Sequence, residues 1–283
     1  MIRLRILQDM MQSRKKHCRS FRFANVVAIP YSKKRLFTTM TNGVAKIANT
    51  IFGMTSGKTS WKVWMLMVEM KILKDRSEWL RNRFNGIGGS EISAVVGCNP
   101  YLDNVTLWEL KTGKRQAEDI SEKPYVLYGT KAEEHLRALF ALDFPQYKVD
   151  YIENNSFRNS KYEWAQASLD GWLTDQDGRK GILEIKTSEI LNSQHREKWK
   201  DNHIPQNYYC QILFYMAVLE ADFCVLKAQL KTVFDDVPYL QTKHFFIEAS
   251  DVREDMGYLM QKGSEFWEYV KSNQCPPLVL PCI

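Results

Sequence analysis

The feature that most constrains this chain is a change of hydrophobic period near residue 145. Upstream, Tyr125–Phe144 sets Leu136, Leu139, Phe140 and Phe144 at helical spacing with charged residues opposite. Downstream, Tyr147–Ile152, Trp164–Leu173 and Gly181–Thr187 alternate or run apolar as strands do. The last two are joined by Thr174-Asp175-Gln176-Asp177-Gly178, whose Asp-Gly pair favours a hairpin turn. Further helices are expected at Asp75–Phe84, at Glu91–Val96 with Ser90 near its N-cap, at Val105–Lys111, at Gln206–Leu219 and from the cap Asp251 to near Ser272. Further strands are expected at Phe223–Thr232 and Lys243–Ala249. This order predicts an α/β (α+β) domain over residues 75–272, with a central mixed β-sheet flanked by helices, a helical N-terminal lobe, and a tail at 273–283.

Charge divides the chain in two. Residues 1–68 hold thirteen Lys or Arg against one acid, Asp9, while the remainder carries a net −6 within a total of +6. The basic stretch up to residue 70 reads as an extension with poor periodicity. It suits a mitochondrial transit peptide with processing near Lys33–Thr39, an upstream translated stretch with no function and the true start at Met40, Met54, Met65, Met67 or Met70, or a basic nucleic-acid arm. Location follows that choice: mitochondrial with a transit peptide, otherwise cytoplasmic or nuclear. The acidic body would need a local basic groove and divalent cations to handle nucleic acid.

Several classes are excluded. The apolar runs at Trp64–Val68 and Ile212–Leu219 are too short or too charged to span a bilayer, which takes about 20 helical residues, so a soluble protein without a membrane partner is expected. Six scattered cysteines make no CxxC, and five histidines make no HExxH, which argues against zinc sites and for reduced, buried thiols. Gly86-Ile87-Gly88-Gly89 has no expected strand before it and no Lys-Ser/Thr after it, and Gly57-Lys58-Thr59 lacks the required upstream glycine, so a phosphate-loop ATPase is disfavoured. His195 and His203 read as solvated loop residues, Trp61, Trp64 and Trp108 as packing residues, and Trp172 and Tyr208 as packing residues with base stacking as the alternative.

The chemistry converges on the hairpin. Alternation puts Glu184 and Lys186 on one face of their strand, and the hairpin brings Asp170, at the end of the preceding strand, beside them. Converging carboxylates repel unless a cation sits between them, and oxygen ligands select Mg²⁺ or Mn²⁺. An adjacent lysine can orient water or stabilise charge developing on phosphate. Glu-x-Lys is common in this chain, at Glu69-x-Lys71, Glu109-x-Lys111 and Glu184-x-Lys186, but only the third has a strand context and an upstream Asp. By itself it also fits a solvated strand face with a cross-strand ion pair.

Asp170…Glu184-x-Lys186 resembles the PD-(D/E)xK nuclease signature, and its surroundings resemble the YqaJ-like viral recombinase family, the lambda-exonuclease-like branch. Four blocks match in order: Trp79-Leu80-x-x-Arg83 with Gly86-Ile87-Gly88-Gly89-Ser90-Glu91; Gly129-x-x-x-Glu133; the Asp170/Glu184/Lys186 core; and Pro205-x-x-Tyr208-x-x-Gln211. The resemblance implies a restriction-endonuclease-like core that hydrolyses phosphodiester bonds of duplex DNA from a 5′ end. In it Asp170, Glu184, the backbone carbonyl of Ile185 and Glu133 hold two Mg²⁺ or Mn²⁺ ions, Lys186 positions or activates water, and Gln211 steadies the site. Where the family often has Pro after its helical Glu this chain has Glu134, so both carboxylates stay open, with the glycine spacing favouring Glu133. Arg83 and Ser90 match residues that hold the terminal 5′ phosphate. The resemblance further implies a ring-shaped trimer and a single-strand-annealing partner. Cys275 and Cys282 stand without a third cysteine nearby, so no iron–sulfur cluster is expected.

Overall fold

The hairpin is present as expected, and it seeds the larger of two sheets in a computed structural model that describes residues 67–280. The basic segment through residue 66, with its processing region, upstream methionines, Trp61, Trp64 and the Gly57-Lys58-Thr59 motif, lies outside the described residues, as do Pro281, Cys282 and Ile283. Strands β6 (Gly171–Thr174) and β7 (Lys180–Glu189) pair antiparallel, Gly171 opposite Leu183. Asp175 closes their turn by accepting from the backbone of Asp177 and Arg179, and Gly178 takes the positive φ of 80° that a side chain would resist.

Beside β7 runs β8 (Phe223–Phe234) in parallel, followed by β9 (Val237–Glu248), and β3 (Lys148–Asp150) edges the other side, giving the order β3-β6-β7-β8-β9. A second sheet has the order β1-β4-β5-β2, from β1 (Val68–Ile72), β2 (Ile87–Gly88), β4 (Asn155–Asn159) and β5 (Tyr162–Ala167). The single central sheet expected from sequence is therefore two mixed sheets.

The reason lies at Ser168-Leu169-Asp170, where the run read as one strand over Trp164–Leu173 breaks in two. The buried Asn155 side chain accepts from Leu169 N at 2.7 Å and donates to Leu169 O at 2.9 Å, replacing ladder bonds. Asp170 thus lies in the break before β6 and not at a strand end. Strand β4 carries mostly polar residues and escapes any apolar pattern, although four of its five are buried. Ile87–Gly88 also forms a two-residue strand, parallel to Ala165–Gln166, where none was expected.

The helices are α1 (Arg76–Phe84), α2 (Gly89–Val95), α3 (Asn104–Lys111), α4 (Pro124–Asp143), α5 (Ser193–Glu197), α6 (Gln206–Leu219) and α7 (Arg253–Lys271). Helix α2 is capped by Gly88, so Ser90 is its second residue and not its cap; α7 starts after Val252, not at Asp251. The run Cys210–Met216 of α6 is buried on every side, and this helix is the core element between the sheets. Helix α4 covers the opposite face of the larger sheet, packing Leu136 and Phe140 on Leu173, Leu183, Ile185 and Val225, while Leu139 faces solvent at 49% exposure. Cys98, Cys210 and Cys224 are buried free thiols, and Cys275 is exposed. Among the described residues no helix is long and apolar enough to cross a membrane.

Candidate active site

Register places Asp170 beside Glu184, because Gly171 opposes Leu183 across the hairpin. The Asp170 carboxylate accepts from Ile185 N at 2.7 Å. Glu184 is almost fully buried, and its Oε1 accepts from Lys186 Nζ at 2.5 Å and from Gln211 Nε2 at 2.6 Å. Its other oxygen, Oε2, is buried with no hydrogen-bond partner among the described residues. Glu133 reaches the same place from α4, 30% exposed, whereas Glu134 points to solvent.

Burial and mutual repulsion dominate the electrostatics. Burial, then the Asp170 charge, pushes Glu184 up to about 8. The same two causes push Glu133 up to about 7, with Arg137 opposing. Burial raises Asp170 as well. Burial alone would lower the Lys186 ammonium, but Glu184 and Asp170 outweigh it and hold it above its ordinary range. Three carboxyls thus share one place with Lys186 and Arg137, and the buried Glu184 and half-buried Glu133 are costly to ionise together without a further cation.

An open cleft of about 360 Å³ is lined by Glu133, Asp170, Ile185, Lys186, Gln211 and Tyr208, and also by Ser90. Arg83 donates to Ser90 Oγ at 3.0 Å, so the two residues expected to hold a phosphate are adjacent. Behind them Glu91 accepts from Arg83 at 3.1 Å, from Lys111 at 2.8 Å and from Gly88 N at 2.8 Å. Burial would raise Glu91, but Arg83 and then Lys111 more than reverse it, and its carboxyl titrates below the ordinary range. Lys111 also donates to the Arg83 carbonyl at 2.7 Å. The two ends of the cleft are locked together at Gly89, where any Cβ would stand 2.3 Å from the Tyr215 ring and 2.9 Å from Gln211 Cγ.

Of the expected site residues, Ser90, Glu133, Asp170, Ile185, Lys186 and Gln211 line one cleft, and Arg83 and Glu184 abut it through hydrogen bonds to Ser90 and to Lys186 and Gln211. Lys111 and Arg137 were not anticipated. Lys111 had a signal, as the second Glu-x-Lys triplet, but it pairs with Glu91 and leaves Glu109 to Arg115. The first triplet, Glu69 and Lys71, is an exposed pair at 3.8 Å. Trp172 is buried and stacks on Phe157, which fits packing and not a base platform, while Tyr208 lines the cleft with Lys186 Nζ 5.4 Å from its ring centre. His203 is exposed beside Lys200 O, and Trp108 is buried with its Nε1 donating to Tyr269 O.

Whether these residues suit a divalent cation turns on their chemistry. Among the described residues no three His, Cys, Asp or Glu side chains form a finished metal-binding group; Lys186 pairs with Glu184, and Arg137 with Glu133. The converging oxygen donors and the orphaned Glu184 Oε2 do suit a hard cation.

The fold is that of a nuclease of the lambda exonuclease type. It resembles the crystal structure of an alkaline exonuclease from Laribacter hongkongensis, with a TM-score of 0.52 at 18% identity, over 70% of this chain and 93% of that one. The chain belongs to the YqaJ-like viral recombinase domain family, whose model matches residues 78–222. It is 31% identical over 210 residues to the "Uncharacterized protein YqaJ" of Bacillus subtilis (strain 168), covering 72% of this chain and 59% of that relative. It therefore matches somewhat over half the length of that relative.

Proposed function

We propose that the protein is a Mg²⁺- or Mn²⁺-dependent deoxyribonuclease that digests one strand of linear duplex DNA from a 5′-phosphorylated end, acting in recombination or repair. The observation that carries this reading is that Ser90, paired with Arg83, and the Glu133/Asp170/Lys186 group line one cleft. A phosphate held at one end sets the chain length between the terminus and the bond presented to the carboxylates. Such a site favours ends over internal positions.

Asp170, Glu184, Glu133 and the Ile185 carbonyl would hold the cation, which when bound supplies Lewis-acid polarisation of the scissile phosphate. Gln211 fixes the Glu184 carboxylate by its 2.6 Å bond and keeps Oε2 directed away from the amide. Lys186, whose ammonium Glu184 and Asp170 hold above its ordinary range in the metal-free protein, would position or activate the attacking water and stabilise charge on the phosphate oxygens. Arg83 offers a forked donor to the terminal phosphate, and the Ser90 hydroxyl a second. A ring-shaped trimer and a single-strand-annealing partner accompany this reading on family likeness alone.

Digestion of linear duplex DNA with Mg²⁺, compared with chelator, is the direct test. Linear DNA should be consumed and covalently closed circles left intact. Cutting of circles would point instead to a restriction-type endonuclease, and binding without cleavage, indifferent to Lys186→Ala and Asp170→Asn, to a non-catalytic recombination accessory protein. Arg83→Ala should slow 5′-phosphorylated ends more than 5′-hydroxyl ends, and equal slowing would remove the phosphate pocket.

A further inference from the structure

Arg137 stands one turn beyond Glu133 on α4, and no part of the motif assigns it a role. An exposed pair at that spacing would contribute only a few tenths of a kcal/mol. This one is different, because the Arg137 side chain is only 12% exposed and has three partners. Its Nη1 donates to Glu133 Oε1 at 3.1 Å and to the Asp170 backbone carbonyl at 2.5 Å, and its guanidinium lies 3.5 Å from the centre of the Tyr151 ring.

These contacts join three elements. Glu133 rides on a helix that packs over one face of the larger sheet, and Asp170 sits in the break between β5 and β6. Tyr151 follows β3. Like charges on Glu133 and Asp170 would drive their carriers apart, and backbone pairing does not connect α4 to the break. The bond to Asp170 goes to the main chain, so the Asp170 carboxylate is left out of it, and only one Glu133 oxygen is used.

We propose that Arg137 is a positioning residue for the divalent cation. Its guanidinium, seated on Tyr151, holds Glu133 against the Asp170 turn so that carboxylates from separate elements are aligned before the cation arrives. Nη1 serves both acceptors while the flat guanidinium lies on the Tyr151 ring, a stacked arrangement that a lysine ammonium does not make. This role rests on the cation reading above, and the experiment separates the two.

The test is Mn²⁺ binding to the full chain without DNA, followed by electron paramagnetic resonance, with thermal unfolding as a control for folding. Wild type should bind Mn²⁺. Arg137→Gln should bind about 10- to 100-fold more weakly, the usual loss when a residue supporting a metal ligand is removed. Arg137→Lys should lose nearly as much although it keeps the charge. Tyr151→Phe should match wild type, and Tyr151→Leu should fall between. Equal or tighter binding by Arg137→Gln overturns the proposal, because the guanidinium would then be a bystander or a competitor. Wild-type affinity in Arg137→Lys overturns the need for a guanidinium stacked on Tyr151. Absence of Mn²⁺ binding by wild type overturns the cation reading itself, and this role with it. Should Arg137→Gln fail to fold, the Tyr151→Phe and Tyr151→Leu pair decides the matter.

Discussion

Glu91 and Glu184 are both carboxylates withdrawn from solvent, at 14% and 1% side-chain exposure, and both contact a lysine, yet they titrate in opposite directions. Around Glu91 two cations and a backbone N–H outweigh the cost of burial. Around Glu184 three carboxyls crowd together with Lys186 and, on the Glu133 side, Arg137, and one Glu184 oxygen is left without a donor. The first is a completed ion cluster, and the second is a set of carboxyls that do not all ionise near neutral pH without a further cation. A buried carboxylate whose charge is met by cations is a structural feature, and buried carboxyls whose ionisation is suppressed by one another point to a cation.

The comparison breaks most visibly at Lys186. Lys186→Ala should cut nuclease activity on linear DNA by up to about 10⁴-fold, the upper range for a positioned catalytic group, while thermal unfolding shows a folded protein. Activity within tenfold of wild type would remove Lys186 from the chemistry. Glu91→Gln should do the reverse in kind. It should cost about 3 kcal/mol of stability by urea unfolding, because Lys111 and Arg83 would lose their shared anion. A change under about 0.5 kcal/mol would show that cluster to be dispensable.

Gly89→Ala probes the link between the two regions. Its Cβ would meet the Tyr215 ring, so a loss of about 1 to 3 kcal/mol is expected, together with reduced activity as α2 and α6 separate. The pH dependence has opposite signs in the two regions. Glu91 has a folded pKa below its unfolded value, so its contribution is full above about pH 4.5 and is lost as pH falls through the folded value. Glu184 has a folded pKa of about 8, so metal-free protein holds a proton there at neutral pH, and its contribution is full below about pH 4.5 and is lost as pH rises from there through about 8. Urea unfolding of metal-free protein from pH 4 to 9 should therefore show a Glu91→Gln difference that shrinks only at the acid end. The smallest effect is expected at Glu134, where Gln should change stability by less than about 0.5 kcal/mol and leave activity intact. Glu133→Gln should impair activity, and the opposite ranking would reassign the helical carboxylate.

Legibility followed how local each feature is. Glu184 and Lys186 share a strand face by alternation, the Asp-Gly turn brings Asp170 to them, and helical spacing puts Tyr208 and Gln211 on one side of α6. Each needs only a few residues of context. Strand β4 was not legible because its Asn and Ser residues are buried by hydrogen bonding to distant chain, not by apolar character. The break at Ser168–Asp170 was hidden for the same reason, since the alternating pattern runs through it while Asn155 diverts the backbone. Leu139 looked like core because it shares the stripe of Leu136 and Phe140, but the stripe is wider than the sheet it covers.

By itself the sequence determined the order of the principal elements, the hairpin, and the family to which residues 78–222 belong, because period, turn chemistry and motif spacing act over short stretches of chain. Only the tertiary structure decided that there are two sheets and that Glu133, not Glu134, faces the cleft. It alone set Arg137 and Lys111 against their partners. Those outcomes depend on which buried donors meet which acceptors across tens of residues, and pairing of that kind leaves no periodic trace in the chain.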